Sequence, residues 1–173
     1  MGAWLARLAE RQHLLVALLT AWLVLTSPWV HLFRRIPRNA GVLDYAHIVL
    51  GVVAALLAVT FTVACTRHGR WRLYFPWLAG ALALAPAARE LRGLLRGELP
   101  TAEGGGLFGV LEGLLLLALL ATALTGCAWL LVQPSYAAGE WRGYHILAAR
   151  GMIALLTLHI VAASLHLLEF LRE

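Results

Sequence analysis

Four stretches of this 173-residue chain are long and apolar enough to cross a membrane, and they limit its fold more than any other feature. A spanning helix needs about 20 mainly apolar residues, because the hydrocarbon core offers no water to an open backbone. With 61% hydrophobic and 13% charged residues, the composition is not that of a soluble globular domain. The sequence therefore predicts an all-α fold, an integral membrane four-helix bundle formed as a single domain by residues 1–173. The predicted spans are 13–33, 43–65, 107–132 and 143–168.

The long connection 66–106 contains a further apolar run, residues 73–88, which is short for a span and carries Pro76 and Pro86. We expect this run to lie at the membrane interface or to re-enter the membrane rather than to form a fifth span. The segment 88–97 has the pattern of a short amphipathic surface helix that Gly97 and Pro100 close.

The basic residues predict the orientation of the spans. All fourteen are arginines, and one side of the predicted membrane carries nine of them against four on the other. The nine are Arg7, Arg11, Arg67, Arg70, Arg72, Arg89, Arg92, Arg96 and Arg172, and the four are Arg34, Arg35, Arg38 and Arg142. The positive-inside rule then predicts that both termini are cytoplasmic and that the chain lies in the cytoplasmic membrane. We call the end with the nine arginines inner and the opposite end outer. Because the arginines flank spans, nucleic acid is not an expected partner.

Four histidines lie inside these apolar stretches or at their ends: His13, His47, His145 and His159. His145 and His159 are fourteen residues apart, just under four helical turns, so both side chains leave nearly the same helix face about 21 Å apart. Ionisable side chains in a membrane usually face the bundle interior and have a function. The predicted depths pair His47 with His145 near the outer end, and His13 with His159 near the inner end.

Two imidazole pairs at two depths suggest two b-type haems, one above the other. Neutral imidazole binds iron well, and axial histidine is a common haem attachment. Without a C-x-x-C-H motif, covalent attachment is not expected, and Cys65 and Cys127 belong to opposite membrane sides, too far apart for a disulfide. Two protein ligands per iron leave no open position for oxygen, which favours electron transfer.

The surroundings of the four histidines fit a flat macrocycle. Gly51 follows His47 by one helical turn, and glycine lets a porphyrin approach the backbone. Gly126 and Gly151 have the same potential, although small residues also mediate plain helix packing. The candidate partners of the haem propionates, in falling order, are Arg11, Arg150, Arg38 and Tyr144.

Three more titratable residues have two interpretations each. His31 lies eighteen residues, or five turns, after His13 and is an alternative ligand of the outer haem, or else an interfacial side chain at the span end. His166 lies seven residues beyond His159 and is either interfacial or part of a quinone or proton path. Glu112 lies in the third span, where a carboxylate usually has a function, here proton transfer to quinone; the alternative is a snorkelling or capping role.

In the order of its histidines the sequence resembles the bacterial cytochrome b561 family, which is related to the b-type cytochrome subunits of Ni/Fe hydrogenases. The matching motifs are RQHLL with His13, HIVLG with His47 and Gly51, and HILAARGMIALLTLHIVAASLH with His145 and His159. The resemblance implies a four-helix membrane protein that holds two b haems and exchanges electrons with quinone or a partner protein. The connection 66–106 is longer and more apolar than this pattern requires.

The sequence is compatible with two functions. The first is electron transfer between the quinone pool and a redox partner, either by a stand-alone quinol oxidoreductase or by the cytochrome subunit of a larger dehydrogenase. The second is a non-redox membrane protein whose histidines bind or transport a metal ion. The sequence has no H-E-x-x-H motif, and its candidate ligands fall into two layers, so the first function is favoured. Because the predicted outer loops 34–42 and 133–142 are short, an enzyme partner is expected.

Overall fold

The structure is a computed structural model that describes residues 3–98 and 106–170, with side chains for 11–67, 69–98 and 106–164. These ranges are mainly helical and contain no β-strand. The α-helices are α1 (Ala3–Thr26), α2 (Val42–Thr66), α3 (Trp71–Tyr74), α4 (Ala85–Leu94), α5 (Leu107–Val132) and α6 (Tyr136–Phe170). Short 3₁₀ helices cover Ser27–Trp29, Arg67–Gly69, Pro76–Ala79 and Ala81–Leu84.

Four helices in the described ranges are long and apolar enough to cross a membrane, which confirms the predicted number. The qualifying segments are Arg11–Trp29, Val42–Thr66, Leu107–Val132 and Tyr136–Ser164. Two boundaries differ from the prediction. The α-helix of the first span ends at Thr26 and is followed by a 3₁₀ turn that contains Pro28. The last helix begins at Tyr136, directly after Pro134 and Ser135, so most of the predicted loop 133–142 is helical.

The apolar run 73–88 does not form a fifth spanning helix. Its backbone breaks at Phe75, and again at Gly80, where a φ of +100° is incompatible with a continuing helix. The predicted surface helix is present as α4 and ends in a turn at Gly97, whose φ is +80°. Pro100 lies outside the described residues.

The described residues divide into two compact units. The first comprises those within 1–64 and 118–150, and the second those within 65–117 and 151–173. Of the predicted histidine ligands, His13, His47 and His145 belong to the first unit and His159 belongs to the second.

In the first unit, the loop 30–41 packs on the helix ends that follow it in the chain. Leu32, Trp129 and Ala138 form a buried cluster. The indole Nε1 of Trp129 donates a hydrogen bond to the carbonyl oxygen of Phe33 at 2.7 Å. These contacts hold the loop against the end of α5 and the start of α6, the helix that carries His145.

Asp44 ties the other side of this loop to the start of α2. Its carboxylate is almost fully buried and accepts hydrogen bonds from the backbone N–H groups of His31 at 2.7 Å and Gly41 at 2.9 Å. The bond from Gly41 is the acidic half of a capping box, because Asp44 is the third residue of α2. Asp44 therefore sets where α2 begins, one turn before His47.

In the second unit, the segment Trp71–Ala79 packs closely on α5. The carbonyl oxygens of Leu73 and Tyr74 lie against Gly109 and Gly113, where any Cβ atom would overlap them. A glycine pair at this spacing is a common device for close backbone approach in membranes. At the start of α5, the carboxylate of Glu90 accepts a hydrogen bond from the backbone N–H of Leu107 at 2.6 Å.

Candidate functional site

The imidazole rings of His47 on α2 and His145 on α6 lie beside each other in the first unit. Their centroids are 6.3 Å apart and their planes are nearly perpendicular, at 87°. Both residues are half-buried. The structure thus brings together the two histidines whose depths pair them near the outer end.

The separation of the two rings is close to the value for two imidazoles that would bind one metal ion in line. For a metal–nitrogen distance of about 2 Å and a ring radius of about 1.1 Å, the two centroids would be about 6.2 Å apart. The observed 6.3 Å is therefore compatible with one metal atom that both imidazoles would bind.

A hydrogen bond sets the tautomer of His145. Its Nδ1 lies 2.9 Å from the backbone carbonyl oxygen of Thr122 on α5. Because a carbonyl oxygen only accepts, Nδ1 must carry the proton and donate. The lone pair of the neutral ring is then on Nε2, and a carbonyl partner of this kind orients metal-binding histidines in general.

His47 has a nitrogen that the protein leaves unsatisfied. Among the described residues, no group forms a hydrogen bond with its buried Nδ1. An unpaired buried polar atom costs about 1–3 kcal/mol, and the described residues supply no partner for this one. This orphaned nitrogen and the lone pair of His145 fit a shared metal-containing group.

Gly126 on α5 makes room for the ring of His145. A Cβ atom at Gly126 would lie 3.1 Å from both Cε1 and Nδ1 of that imidazole, so the ring would have to shift by a few tenths of an ångström. The close approach that was expected of a macrocycle at Gly126 is therefore made by the His145 side chain. At Gly51 and Gly151 an added Cβ would meet no atom within 4 Å, so both glycines border open space.

The inner candidates lie beside phenylalanine rings. In the first unit, the exposed ring of His13 is 5.7 Å from that of Phe61, and the neighbouring Gln12 donates to the hydroxyl of Thr60 at 2.5 Å. In the second unit, the half-buried ring of His159 is 5.1 Å from that of Phe108. The pairing of His13 with His159 stays a prediction that rests on their depths.

The alternative ligand His31 lies in a different environment from His47. Its backbone N–H binds Asp44 and its side chain is exposed. With Trp29 and Asn39 it lines a surface cavity of about 370 Å³ at the outer end. The described contact with the His145 ring is made by His47.

Glu112 belongs to a polar group in the second unit. It is half-buried and interacts electrostatically with Cys65 and Tyr74, whose thiol and hydroxyl share a hydrogen bond. Burial raises the pKa of the Tyr74 hydroxyl, and the nearby Cys65 and Glu112 raise it further. Tyr74 therefore stays protonated near neutral pH. The backbone of His166 belongs to α6, and its side chain lies outside the described part.

All four residues predicted to hold propionates have exposed side chains. They are Arg11, Arg150, Arg38 and Tyr144. Sequence reasoning missed the Thr122 carbonyl and the half-buried Arg142 in the first unit, and the Tyr74 hydroxyl in the second. Only Arg142 had a sequence signal, its position three residues before His145.

Comparison of the chain with family models, with curated proteins and with solved structures found no match.

Proposed function

We propose that the protein is a di-haem b-type membrane cytochrome that transfers electrons between the quinone pool and a redox partner protein or enzyme subunit. The observation that carries this proposal is the 6.3 Å separation of the His47 and His145 rings. The Thr122 carbonyl, which leaves Nε2 of His145 free to bind iron, supports it further.

The composition of the outer pair favours haem over a bare metal ion. Two imidazoles alone leave an ion without most of its ligands, whereas a porphyrin brings four nitrogens of its own. The described residues contain no group of three or more His, Cys, Asp or Glu side chains that could hold an ion. When bound, haem iron supplies one-electron redox chemistry. A visible spectrum of the purified protein tests the choice, since haem absorbs strongly there and a histidine-bound zinc ion does not.

Each residue of the pair has a defined task under this proposal. His145 is oriented by Thr122 and accommodated by Gly126, while His47 would supply a second nitrogen ligand. With two protein ligands the iron would have no open position for oxygen, so this centre would transfer electrons only. His13 and His159 would hold the second haem in the same way, about four helical turns nearer the inner end.

The membrane assignment of the proposal rests on charge and apolar length. The four long apolar helices would be surrounded by lipid, and the nine-to-four arginine bias would put both termini in the cytoplasm of a bacterial cell. A reporter enzyme fused to the carboxyl terminus, one active only in the cytoplasm, tests this orientation.

Quinone would react near the inner haem, where protonable groups are available. Reduction of a quinone couples electrons to protons, and the polar group of Glu112, Tyr74 and Cys65 lies in the same compact unit as His159. Histidine titrates near neutral pH, so His166 would exchange protons with the cytoplasm. Glu112 and Tyr74 would hold the quinone oxygen or pass its proton.

Loss of either protonable side chain should slow electron entry without loss of haem. We expect His166→Gln and Glu112→Gln each to reduce the rate of quinol-driven haem reduction on the order of tenfold or more, as for loss of an acid–base group. Stopped-flow absorbance of the full chain in lipid vesicles measures this rate. Glu140→Gln, which neutralises an exposed carboxylate at the outer end, is the matched control and should leave the rate unchanged.

The haem spectra distinguish the outcomes. If His166→Gln loses the inner haem, His166 is a ligand and its role in proton transfer is wrong. If neither variant changes the rate while both haems remain, the quinone site does not lie at this end.

A further inference from the structure

Arg142 is the half-buried arginine next to the outer histidine pair. It precedes His145 by three residues, which puts it on the same side of α6 and about 4.5 Å nearer the outer end. Its charge is close enough to interact with the His145 imidazole. The three arginines and one tyrosine that the sequence suggested for binding the propionates are exposed by comparison.

The partners that the structure gives Arg142 carry no charge. Its Nε donates a hydrogen bond to the carbonyl oxygen of Leu32 at 2.6 Å, and its guanidinium carbon lies 5.1 Å from the centroid of the Phe33 ring. A guanidinium has five N–H donors, so both terminal nitrogens remain available. A cation in an apolar environment is costly without a counter-charge, and a carboxylate is the best match to its planar fork.

We propose that Arg142 binds a propionate carboxylate of the outer haem and thereby raises the reduction potential of that haem. This inference rests on the proposed di-haem function. The carboxylate would bring the missing negative charge to the arginine, one helical turn from the iron ligand. The contacts with Leu32 and Phe33 hold the guanidinium in place in advance. A fixed positive charge beside the site disfavours the additional charge of ferric iron, which favours the reduced state.

A redox titration of the full chain in lipid vesicles tests the proposal. The outer component is identified as the one that His145→Ala removes. We expect Arg142→Gln to shift the midpoint potential of this component to more negative values and to leave the inner component unchanged. Arg142→Lys, which keeps the positive charge, should reverse most of this shift.

Trp129→Phe is the matched control for a purely structural role of Arg142. It removes the hydrogen bond from the Trp129 indole to Phe33, and so loosens the same loop without a change of charge. We expect this variant to keep the midpoint potential of the outer haem.

The outcomes distinguish binding of a propionate by Arg142 from a purely structural role of this residue. An equal shift in Trp129→Phe and Arg142→Gln, or an unchanged potential in Arg142→Gln, overturns the proposal. If Arg142→Gln loses the outer haem, the proposal stands when Arg142→Lys and Trp129→Phe retain it, and fails when all three lose it. Wild-type protein without haem refutes the di-haem function itself, which a haem determination reports before any titration.

Discussion

Replacement of His145 by Ala should remove the outer haem and leave the inner one reducible, so that the haem content falls by half. The structure gives the physical reason. His145 is the ring that α5 positions from two sides, through the Thr122 carbonyl and the space above Gly126. Alanine would offer the iron no ligand, and His47, whose ring centroid lies 6.3 Å from that of His145, would remain as a single ligand.

Difference spectra and haem content of the purified variant measure this loss, and the retained inner haem shows that the variant folds. His47→Ala should give the same result, because both rings would be ligands of the same iron. His31→Ala serves as the control and should keep both haems, since its exposed side chain lines the surface cavity. If His31→Ala abolishes the outer haem and His47→Ala does not, the ligand assignment is wrong.

The complementary result is expected at the inner end, where His13→Ala and His159→Ala should each remove the inner haem alone. His159 lies about 21 Å along α6 from His145, so its loss should leave the outer site undisturbed. His13 comes from the first residues of the apolar part of α1, at the depth that the sequence assigns to His159.

Difference spectra again measure the outcome, with His166→Gln as a control that should retain both haems. If His13→Ala removes the outer component instead, the pairing of His13 with His159 by their predicted membrane depths is wrong. Retention of both haems in His13→Ala and in His159→Ala would leave the inner haem without its proposed ligands.

The helical part of this fold could be predicted because the bilayer fixes the length of an apolar helix. The spans 43–65 and 107–132 agree closely with α2 and α5. The start of α6 could not be predicted in the same way. Residues 136–142 contain polar side chains, and their low hydropathy predicts a loop rather than part of a spanning helix. They are helical because they extend an established helix and pack on the loop 30–41.

At the outer site, the sequence predicts which histidines come together but does not predict the groups that position them. The proximity of His47 and His145 follows from helix periodicity and depth, which are properties of the sequence. The partner of His145 is the backbone carbonyl of Thr122, and every residue has such a group, so no side-chain pattern points to it. Gly126 was recognised as a place of close approach, but only the structure shows that the approaching group is an imidazole.

The sequence contains a signal for the packing of the segment 71–79 on α5, and sequence reasoning did not use it. Its length and its prolines predicted that it would not span, whereas its contact with α5 was not expected. The spacing of Gly109 and Gly113 marks a face of α5 that another backbone can approach, and the carbonyls of Leu73 and Tyr74 occupy it. This contact fixes the backbone of Tyr74 on α5, where its hydroxyl interacts with Cys65 and Glu112.

The haem content of the purified full-length protein tests the central claim most directly. Acid-acetone extraction followed by the pyridine haemochrome assay should recover close to two non-covalent b haems per chain, one for each histidine pair. Recovery of no haem, or of haem that stays attached to the protein after extraction, would contradict the account.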